Sequence, residues 1–254
     1  MKGGETVENQ EYKVEVSHLT KKFGDLLVLD DVSFNVRKNE FLCIVGPTGC
    51  GKTTFLNSLS RLYDITAGDI LINGEAVDLK KHNIAYIFQE YSNMPWLTIE
   101  QNIAFGLEIK KLPQKVVQER VDKFLGMVGL TKFRKYYPSQ LSASMLQRAA
   151  IARAFAVEPE LLLMDEPYGQ LDIELRFKLE DELIKLWQQI GTTVIFITHN
   201  IEEAVYLSER ILVLTNKPTK IKAEINNELP RPRDITDPQF VALRNQVTDL
   251  IKWW

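Results

Sequence analysis

The stretch that decides the fold reads Gly-Pro-Thr-Gly-Cys-Gly-Lys-Thr at residues 46–53, and it directly follows the apolar run Phe-Leu-Cys-Ile-Val at residues 41–45. The spacing is that of a phosphate loop, G-x-x-x-x-G-K-[ST], which requires a strand before it and a helix after it. Apolar residues at helical spacing predict that helix: Phe55, Leu56, Leu59 and Leu62. Glycines let backbone amides converge on the oxygens of a triphosphate. The loop therefore predicts binding of a nucleoside triphosphate, with Lys52 at the β- and γ-phosphates and Thr53 at Mg²⁺.

Composition narrows the class of protein. The chain has 254 residues, 45% hydrophobic and 26% charged, so it can bury the core of one large domain or of two joined subdomains. It has no apolar run long enough to span a membrane, and residues 1–11 are polar and acidic, which predicts a cytosolic or peripheral protein without a secretory signal. A formal net charge of -3 without a long basic run predicts no nucleic-acid partner. Cys43 and Cys50 are interpreted as reduced packing residues.

Two kinds of strand pattern alternate with helical patterns along the chain. Apolar and polar residues alternate near residues 12–16, 32–36 and 70–72, the last before an Asn-Gly turn, which predicts an antiparallel β region. Unbroken apolar runs at residues 41–45, 161–164 and 194–197 predict parallel strands buried on both faces.

The same patterns predict one α/β domain over residues 1–254. Its core lies at about residues 11–90 and 158–215, and the helical spacing within residues 91–157 predicts an α-helical subdomain between strands. From residue 216 the core signal fades into a proline-punctuated C-terminal extension, which ends in an amphipathic stretch at residues 240–254.

The residues that follow the apolar runs are the candidates for chemistry, because ligands of open parallel sheets sit beyond the carboxyl ends of the strands. Asp165 and Glu166 follow one run, His199 follows another, and Gln89 ends the apolar stretch at residues 84–88. An aspartate there can hold the metal, a glutamate can orient or deprotonate the attacking water, and a histidine and a glutamine can contact the γ-phosphate.

Each of these residues also has an ordinary structural explanation. Asp165 and Glu166 precede Pro167 and fit a strand-ending turn, and a single histidine such as His199 is more often a hydrogen-bonded structural residue. Because a phosphate loop lies upstream, a shared site for nucleotide hydrolysis is the favoured interpretation.

These motifs together resemble the ATP-binding subunit of ATP-binding cassette (ABC) transporters, from about Tyr12 to Thr215. Residues 46–53 resemble Walker A, Gln89 the Q-loop, residues 161–166 Walker B, residues 169–172 the D-loop, and His199 the switch histidine. The resemblance implies a P-loop NTPase with a RecA-like, mostly parallel sheet, an antiparallel β subdomain and an α-helical subdomain. It also implies ATP hydrolysis coupled to solute translocation, with ATP and Mg²⁺ as cofactors.

The resemblance assigns roles residue by residue. It implies Glu166, His199 and Gln89 as catalytic residues, and Thr53, Gln89 and Asp165 around the metal. Phe23 stands where the family stacks an aromatic ring on adenine, although a core or turn aromatic is an alternative. The implied nucleotide-binding residues are Phe23, Gly46, Pro47, Thr48, Gly49, Cys50, Gly51, Lys52, Thr53, Thr54, Ser142, Ala143, Ser144 and Asp172.

Three segments are most similar to the nitrate, sulfonate and taurine importer branch: residues 95–98, 166–169 and 228–234. This likeness implies a protein peripheral to the cytoplasmic face of the inner membrane that energises uptake of a small anion such as nitrate, sulfonate, taurine or bicarbonate. The implied partners are membrane permease subunits, a second ATPase subunit, identical or homologous, and, indirectly, a separate solute-binding protein.

The signature segment departs from the family pattern. Where the family has Leu-Ser-Gly-Gly, this chain has Leu-Ser-Ala-Ser at residues 141–144, so Ala143 and Ser144 replace both glycines. In the family this segment contacts the ATP held by the opposite subunit of a head-to-tail dimer. An added Cβ restricts approach to phosphate, whereas the backbone amides remain and the Ser144 hydroxyl can add a hydrogen bond.

Three hypotheses remain open on that basis: a homodimer that hydrolyses ATP at both sites, a heterodimer whose partner supplies an intact signature, and a weakly hydrolytic regulatory subunit. Retained hydrolysis is favoured because the rest of the catalytic set is present. A non-transport soluble ABC ATPase is a further alternative, disfavoured because the chain has one phosphate loop and no sustained heptads.

Two surface features are candidates for contact with other components. Trp96 is predicted to touch a permease, with an ordinary packed aromatic as the alternative. The basic aromatic stretch at residues 132–137 is interpreted as a solvated loop in preference to a lipid or permease contact.

Overall fold

The computed structural model describes residues 12–90, 92–169 and 171–251. The strands are β1 (Tyr12–Phe23), β2 (Leu26–Arg37), β3 (Phe41–Val45), β4 (Ala67–Ile72), β5 (Glu75–Ala76), β6 (Ile84–Ile87), β7 (Leu161–Asp165), β8 (Thr193–Thr198), β9 (Arg210–Leu214) and β10 (Ile221–Asn226). The α-helices are α1 (Lys52–Leu59), α2 (Ile99–Ile109), α3 (Gln114–Met127), α4 (Ala143–Ala156), α5 (Ile173–Ile190), α6 (Ile201–Leu207) and α7 (Pro238–Ile251). None of these helices is long and apolar enough to cross a membrane.

The alternating segments form an antiparallel sheet in the order β2-β1-β4-β5, as predicted. Val14 in the central strand β1 pairs with Val36 of β2 and with Ile72 of β4. All three side chains are buried, so one face of this sheet supplies apolar residues to the core. Asn73 and Gly74, with φ of +53° and +76°, make the predicted tight turn between β4 and β5.

The unbroken apolar runs form a second, six-stranded sheet in the order β10-β9-β3-β8-β7-β6. Its neighbours are parallel except for β10, which is antiparallel to β9. Every residue of β3, β7, β8 and β9 is buried, as expected for strands covered on both faces. Their carboxyl ends lie at one edge of the sheet, which positions the candidate residues together.

The six-stranded sheet separates two apolar cores. Leu42 and Ile44 of β3 face a core shared with α1 and the antiparallel sheet. Phe41, Cys43 and Val45 face a second core, to which α2 to α7 contribute. Successive side chains of a strand point to opposite faces, so β3 contributes to both cores.

Three helices, α2 to α4, lie between β6 and β7 in the chain. Thr98 caps α2 and forms a reciprocal pair of hydrogen bonds with Gln101. The segment after β6 is tied to α4, because Arg153 Nη1 donates to Ser92 O at 2.7 Å and Asn93 Nδ2 donates to Leu146 O at 2.8 Å. Tyr91, at the predicted boundary of this helical region, lies outside the described residues.

The part of the chain beyond residue 216 contributes more to the core than the sequence patterns indicate. β10 adds a strand to the main sheet, and α7 buries Phe240 and Val247 against the larger core. The residues of the amphipathic stretch from 252 onward are outside the described range. The helix after the phosphate loop is shorter than predicted, because α1 ends at Leu59 and Leu62 is exposed.

Candidate nucleotide-binding site

The phosphate loop joins the end of β3 to the start of α1, so the amides at the helix N-terminus point into the loop. Gly49 and Gly51 have φ of +75° and +115°, a region that L side chains rarely adopt. At Gly51 a Cβ would also lie 2.8 Å from Val28 Cγ1. Glycine is therefore required at Gly51 for both backbone and steric reasons.

Lys52 is the first residue of α1 and is buried within the loop. Its Nζ donates to Gly46 O at 3.0 Å and to Pro47 O at 3.2 Å, and it lies 3.7 Å from Glu166 Oε1. Lys52 of the phosphate loop and Glu166 after β7 thus lie side by side, although they are far apart in sequence. A cation held at this point can balance the charge of the β- and γ-phosphates.

Asp165 ends β7 and is buried beside Thr53 of α1. Burial raises the pKa of its carboxyl, the hydrogen bond from Thr53 opposes this, and the neighbouring Glu166 charge raises it again. Its Oδ1 is buried and has no hydrogen-bond partner, which is unusual unless an ion or a water completes the site. A hydroxyl and a carboxylate with an open coordination position fit Mg²⁺, which keeps several of its own waters.

No cluster of three or more His, Cys, Asp or Glu side chains capable of holding a metal occurs within the described ranges. A cage made entirely of such protein ligands is therefore absent from this part of the chain. The fit at Asp165 is instead to a cation bound together with substrate phosphates.

Glu166 follows β7 directly and contacts His199. Its Oε2 lies 2.7 Å from His199 Nδ1, and its backbone N–H donates to Ile197 O at 2.9 Å. The φ of Glu166 is +44°, a conformation that costs energy for a non-glycine residue and is typical of functional sites. The strand register of β7 and β8 brings the two side chains together.

Gln89 is exposed and lines the same open cavity as Thr53 and Asp165, with a volume of about 700 Å³. Tyr63, Tyr86 and Phe88 also line it. The three residues predicted to surround the metal therefore share one cavity. Its size suits a ligand of nucleotide dimensions.

Phe23 ends β1 and is 43% exposed. Its ring makes an edge-to-face contact with Tyr63 at 5.5 Å, and Lys21 Nζ lies 4.6 Å from its centroid. The alternative of a core aromatic does not agree with this exposure. An exposed ring next to a cavity-lining tyrosine is suited to stacking on a base.

Cys50 is a buried free thiol, as is Cys43. Burial raises the pKa of both thiols, so both remain protonated packing residues, as predicted.

The altered signature segment lies at the N-terminus of α4 and does not line the cavity of Thr53, Gln89 and Asp165. Ser142 caps the helix, since Met145 N donates to its Oγ at 3.4 Å, and the Oγ atoms of Ser142 and Ser144 are 3.2 Å apart. Ser142 and Ala143 are exposed.

Asp172 is also separate from that cavity. Its carboxylate caps α5 by accepting from Leu175 N at 3.0 Å. Gln170, which precedes it in the D-loop resemblance, lies outside the described residues. The remaining phosphate-loop candidates, Thr48 and Thr54, lie in the loop and in the first turn of α1.

The candidate contact surfaces differ in character. Trp96 is 72% exposed, so packing inside the fold does not account for it. In the basic aromatic stretch, Arg134 pairs with Glu100 at 2.7 Å and with Asp122 at 2.9 Å, and Lys135 also pairs with Glu100. These pairs offset the charges of Arg134 and Lys135, which agrees with a solvated loop.

Several residues near the site carry no motif and were missed by the sequence patterns. Thr219 lies between β9 and β10, and its Oγ1 donates to Cys50 O in the phosphate loop. Tyr86 of β6 and Asn57 of α1 meet next to Asp165. The only sequence signal for Tyr86 is its polar hydroxyl within the apolar stretch at residues 84–88 that precedes Gln89.

The chain is similar to known proteins over most of its length. A family model described as ABC transporter matches residues 29–169. An uncharacterized ABC transporter ATP-binding protein of Methanocaldococcus jannaschii is 43% identical over 244 residues, covering 94% of this chain and 91% of that protein. An aliphatic sulfonates import ATP-binding protein of Bacillus cereus is 42% identical over 234 residues, covering 92% of each.

Among solved structures, CbiO1 of Clostridium perfringens, part of the ABC transporter complex CbiONQ, superposes with a TM-score of 0.78 at 24% identity. The match covers 86% of this chain and 90% of that one. It establishes the fold, in agreement with the predicted α/β P-loop architecture. The chain belongs to the ABC transporter family, as an ATP-binding subunit with ATPase activity coupled to transport.

Proposed function

We propose that the protein energises import of a small anionic solute, with a sulfonate as the first candidate, by hydrolysing ATP at the phosphate loop and the cavity next to it. The observation that carries the hydrolytic part is Glu166, held between His199 at 2.7 Å and Lys52 at 3.7 Å. The solute class is supported by the sulfonate import proteins of Bacillus, which are 41% to 42% identical over more than 90% of this chain.

Each residue then has a distinct task in hydrolysis. Glu166 orients the attacking water and accepts its proton, and His199 holds the carboxylate at the γ-phosphate. Lys52 and the loop amides stabilise negative charge on the β- and γ-phosphates. Thr53 and Asp165, with Gln89 in the same cavity, would hold Mg²⁺. When bound, the ion would supply positive charge to the phosphate oxygens.

The site is completed by a second subunit. Ser142, Ala143 and Ser144 lie at a helix N-terminus, where unpaired amides favour an anion. We infer that they contact ATP held by the opposite subunit of a head-to-tail dimer. Replacing both glycines by Ala143 and Ser144 should leave this contact in place, because the amides remain.

Contact with a permease is proposed at Trp96, which follows the Q-loop residue Gln89 in the chain and is exposed. The ties of Ser92 and Asn93 to α4 link this surface to the signature helix. The protein would then act at the cytoplasmic face of the membrane, next to permease subunits and, through them, a solute-binding protein.

The proposal is tested by mild-detergent affinity purification of the protein from its native cells, followed by measurement of ATP hydrolysis in proteoliposomes. We expect a permease to co-purify, and hydrolysis to rise when an alkanesulfonate and the solute-binding protein are added. Nitrate and bicarbonate serve as competing solutes in the same assay. Recovery of ribosomes or DNA factors without a permease would overturn the transporter assignment.

The same purification tests the form of the dimer. Recovery of this chain as the only ATPase supports a homodimer with two altered signatures, and recovery of a second ATPase supports a heterodimer. The double variant A143G/S144G then measures what the altered signature costs. A rise in turnover would show that the two added side chains slow hydrolysis, and an unchanged rate would show that the segment is fitted to its partner.

A further inference from the structure

Tyr86 lies at the wall of the cavity, on the same face of the sheet as Asp165. In the parallel register of β6 and β7, Tyr86 pairs with Leu163, and Asp165 is two residues further along β7. Side chains two residues apart on a strand share a face. Tyr86 and Asp165 therefore project toward the same side, where α1 covers the sheet.

The Tyr86 hydroxyl has two polar neighbours. It lies 3.1 Å from Asn57 Oδ1, and Asn57 is one helical turn beyond Thr53, on the same side of α1. The Asp165 carboxylate is also within hydrogen-bonding reach, and it adds to burial in raising the pKa of the tyrosine. The hydroxyl thus lies between α1 and the end of β7.

The ring of Tyr86 is in contact with the Q-loop as well. It stacks on Phe88 with centroids 4.3 Å apart and planes inclined at 22°. Phe88 directly precedes Gln89 in the chain. The tyrosine ring therefore packs against the residue next to Gln89.

We propose that Tyr86 is a positioning residue that holds Asp165 and Gln89 in the arrangement that receives Mg²⁺ with ATP. The inference rests on the proposed function, because it concerns the metal that the same cavity would take. Nothing in the phosphate-loop, Walker B or Q-loop motifs assigns a role to this tyrosine or to Asn57.

The Tyr86 hydroxyl can bond to both Asn57 and Asp165. A tyrosine hydroxyl donates once and can also accept. When its proton points to Asn57 Oδ1, the Asp165 carboxylate receives none. When the Asn57 amide is turned over, Nδ2 donates to the tyrosine oxygen, and the hydroxyl proton is donated to Asp165. This second arrangement links Asn57, Tyr86 and Asp165 in one chain and leaves Asp165 Oδ1, which has no partner, for the metal.

The test compares Tyr86→Phe with the wild type and with Tyr206→Phe in the purified protein. Tyr206 is a matched control, since its hydroxyl bonds to the Asp181 carboxylate at 2.5 Å and does not line the cavity. The melting temperature is followed with ATP in EDTA and with ATP over a titration of Mg²⁺. This readout reports binding and does not depend on turnover.

We expect ATP in EDTA to stabilise Tyr86→Phe and the wild type equally. The Mg²⁺ concentration that gives half of the further stabilisation should rise about threefold to tenfold in Tyr86→Phe, the effect of one lost hydrogen bond, and stay unchanged in Tyr206→Phe. In a double-mutant cycle that combines Tyr86→Phe with Asn57→Ala, the shifts of the Mg²⁺ midpoint should not add, because both substitutions break the same chain of hydrogen bonds.

A Mg²⁺ midpoint for Tyr86→Phe within twofold of the wild type would overturn the inference. So would an equal loss of stabilisation in EDTA, since it would show that Tyr86 acts on the nucleotide and not on the metal. Failure of the wild type to respond to ATP at all would instead contradict the proposed function, so the two failures are distinguishable.

Discussion

Gly51 is the position at which a single methyl group is expected to do most damage to the site. Its φ of +115° is outside the region available to alanine, and a Cβ there would lie 2.8 Å from Val28 Cγ1 and 3.4 Å from Thr219 Oγ1. Thr219 is the residue whose hydroxyl supports the phosphate loop at Cys50. The variant Gly51→Ala therefore strains the backbone and pushes the loop away from its support.

The size of the effect follows from two contributions. The backbone conformation costs about 1–3 kcal/mol, and the overpacking against Val28 costs about 1–3 kcal/mol more. We expect the free energy of unfolding to fall by about 2–6 kcal/mol, together with the loss of ATP-induced stabilisation. Gly24→Ala is the matched control: its φ is +56°, and no atom lies within 4 Å of the added Cβ, so only about 1 kcal/mol should be lost.

Urea denaturation and the melting temperature with and without ATP measure both effects. The double variant Gly51→Ala/Val28→Ala isolates the steric part, since removal of Cγ1 should make the double variant more stable than the sum of the single effects predicts, by about 1 kcal/mol. If Gly51→Ala unfolds like Gly24→Ala and still responds to ATP, the steric reasoning is wrong. If the double-variant effects simply add, Val28 is not the obstacle.

Three further outcomes are expected. Glu166→Gln should lower ATP hydrolysis by about a hundredfold or more and preserve ATP-induced stabilisation, and undiminished hydrolysis in the assembled complex would refute the assignment of the general base. Burial raises the pKa of Glu180 to about 8, the charges of Glu203, Glu202 and Asp181 add to this rise, and Arg176 opposes it. The ordinary pKa of this carboxyl is 4.5, so the folded protein keeps the proton at a higher pH than the unfolded protein does, and the free energy of unfolding should fall as pH rises from about 4.5 to about 8. A series of melting temperatures over this pH range should show a weaker decline in Glu180→Gln than in the wild type. An identical decline would contradict the prediction. Arg233→Ala removes donors from the carbonyls at the end of α6 and should cost about 3 kcal/mol or more in urea denaturation, whereas Lys81→Ala, which breaks an exposed pair, should cost less than about 1 kcal/mol.

Residues beyond 216 supply hydrogen-bond donors to the end of α6. Asn227, Arg231 and Arg233 donate to the last carbonyls of α6, the helix that begins two residues after His199. Helix C-termini leave carbonyls that need donors. The segment that reads as a simple extension therefore fixes the far end of the helix that follows the switch histidine.

Local sequence was sufficient wherever a residue's role depends on its neighbours in the chain. Residues 46–53 identify a phosphate loop because its conformation is set by glycines a few positions apart. The fully apolar runs identify buried parallel strands because both of their faces are covered. The alternating runs, with the Asn73-Gly74 turn, identify the antiparallel sheet for the same local reason.

Only the tertiary structure decided which distant residues meet. Glu166 reaches His199, 33 positions away, because β7 and β8 are adjacent and in parallel register. Thr219 supports Cys50 from 169 positions away, and Tyr86 meets Asn57 and Asp165 because α1 packs over β6 and β7. A polar side chain in a strand carries no sequence signal for its partner, since that partner is set by sheet order and helix packing. The sequence thus determined the phosphate loop, whereas the fold determined which distant residues contact the loop and the site around it.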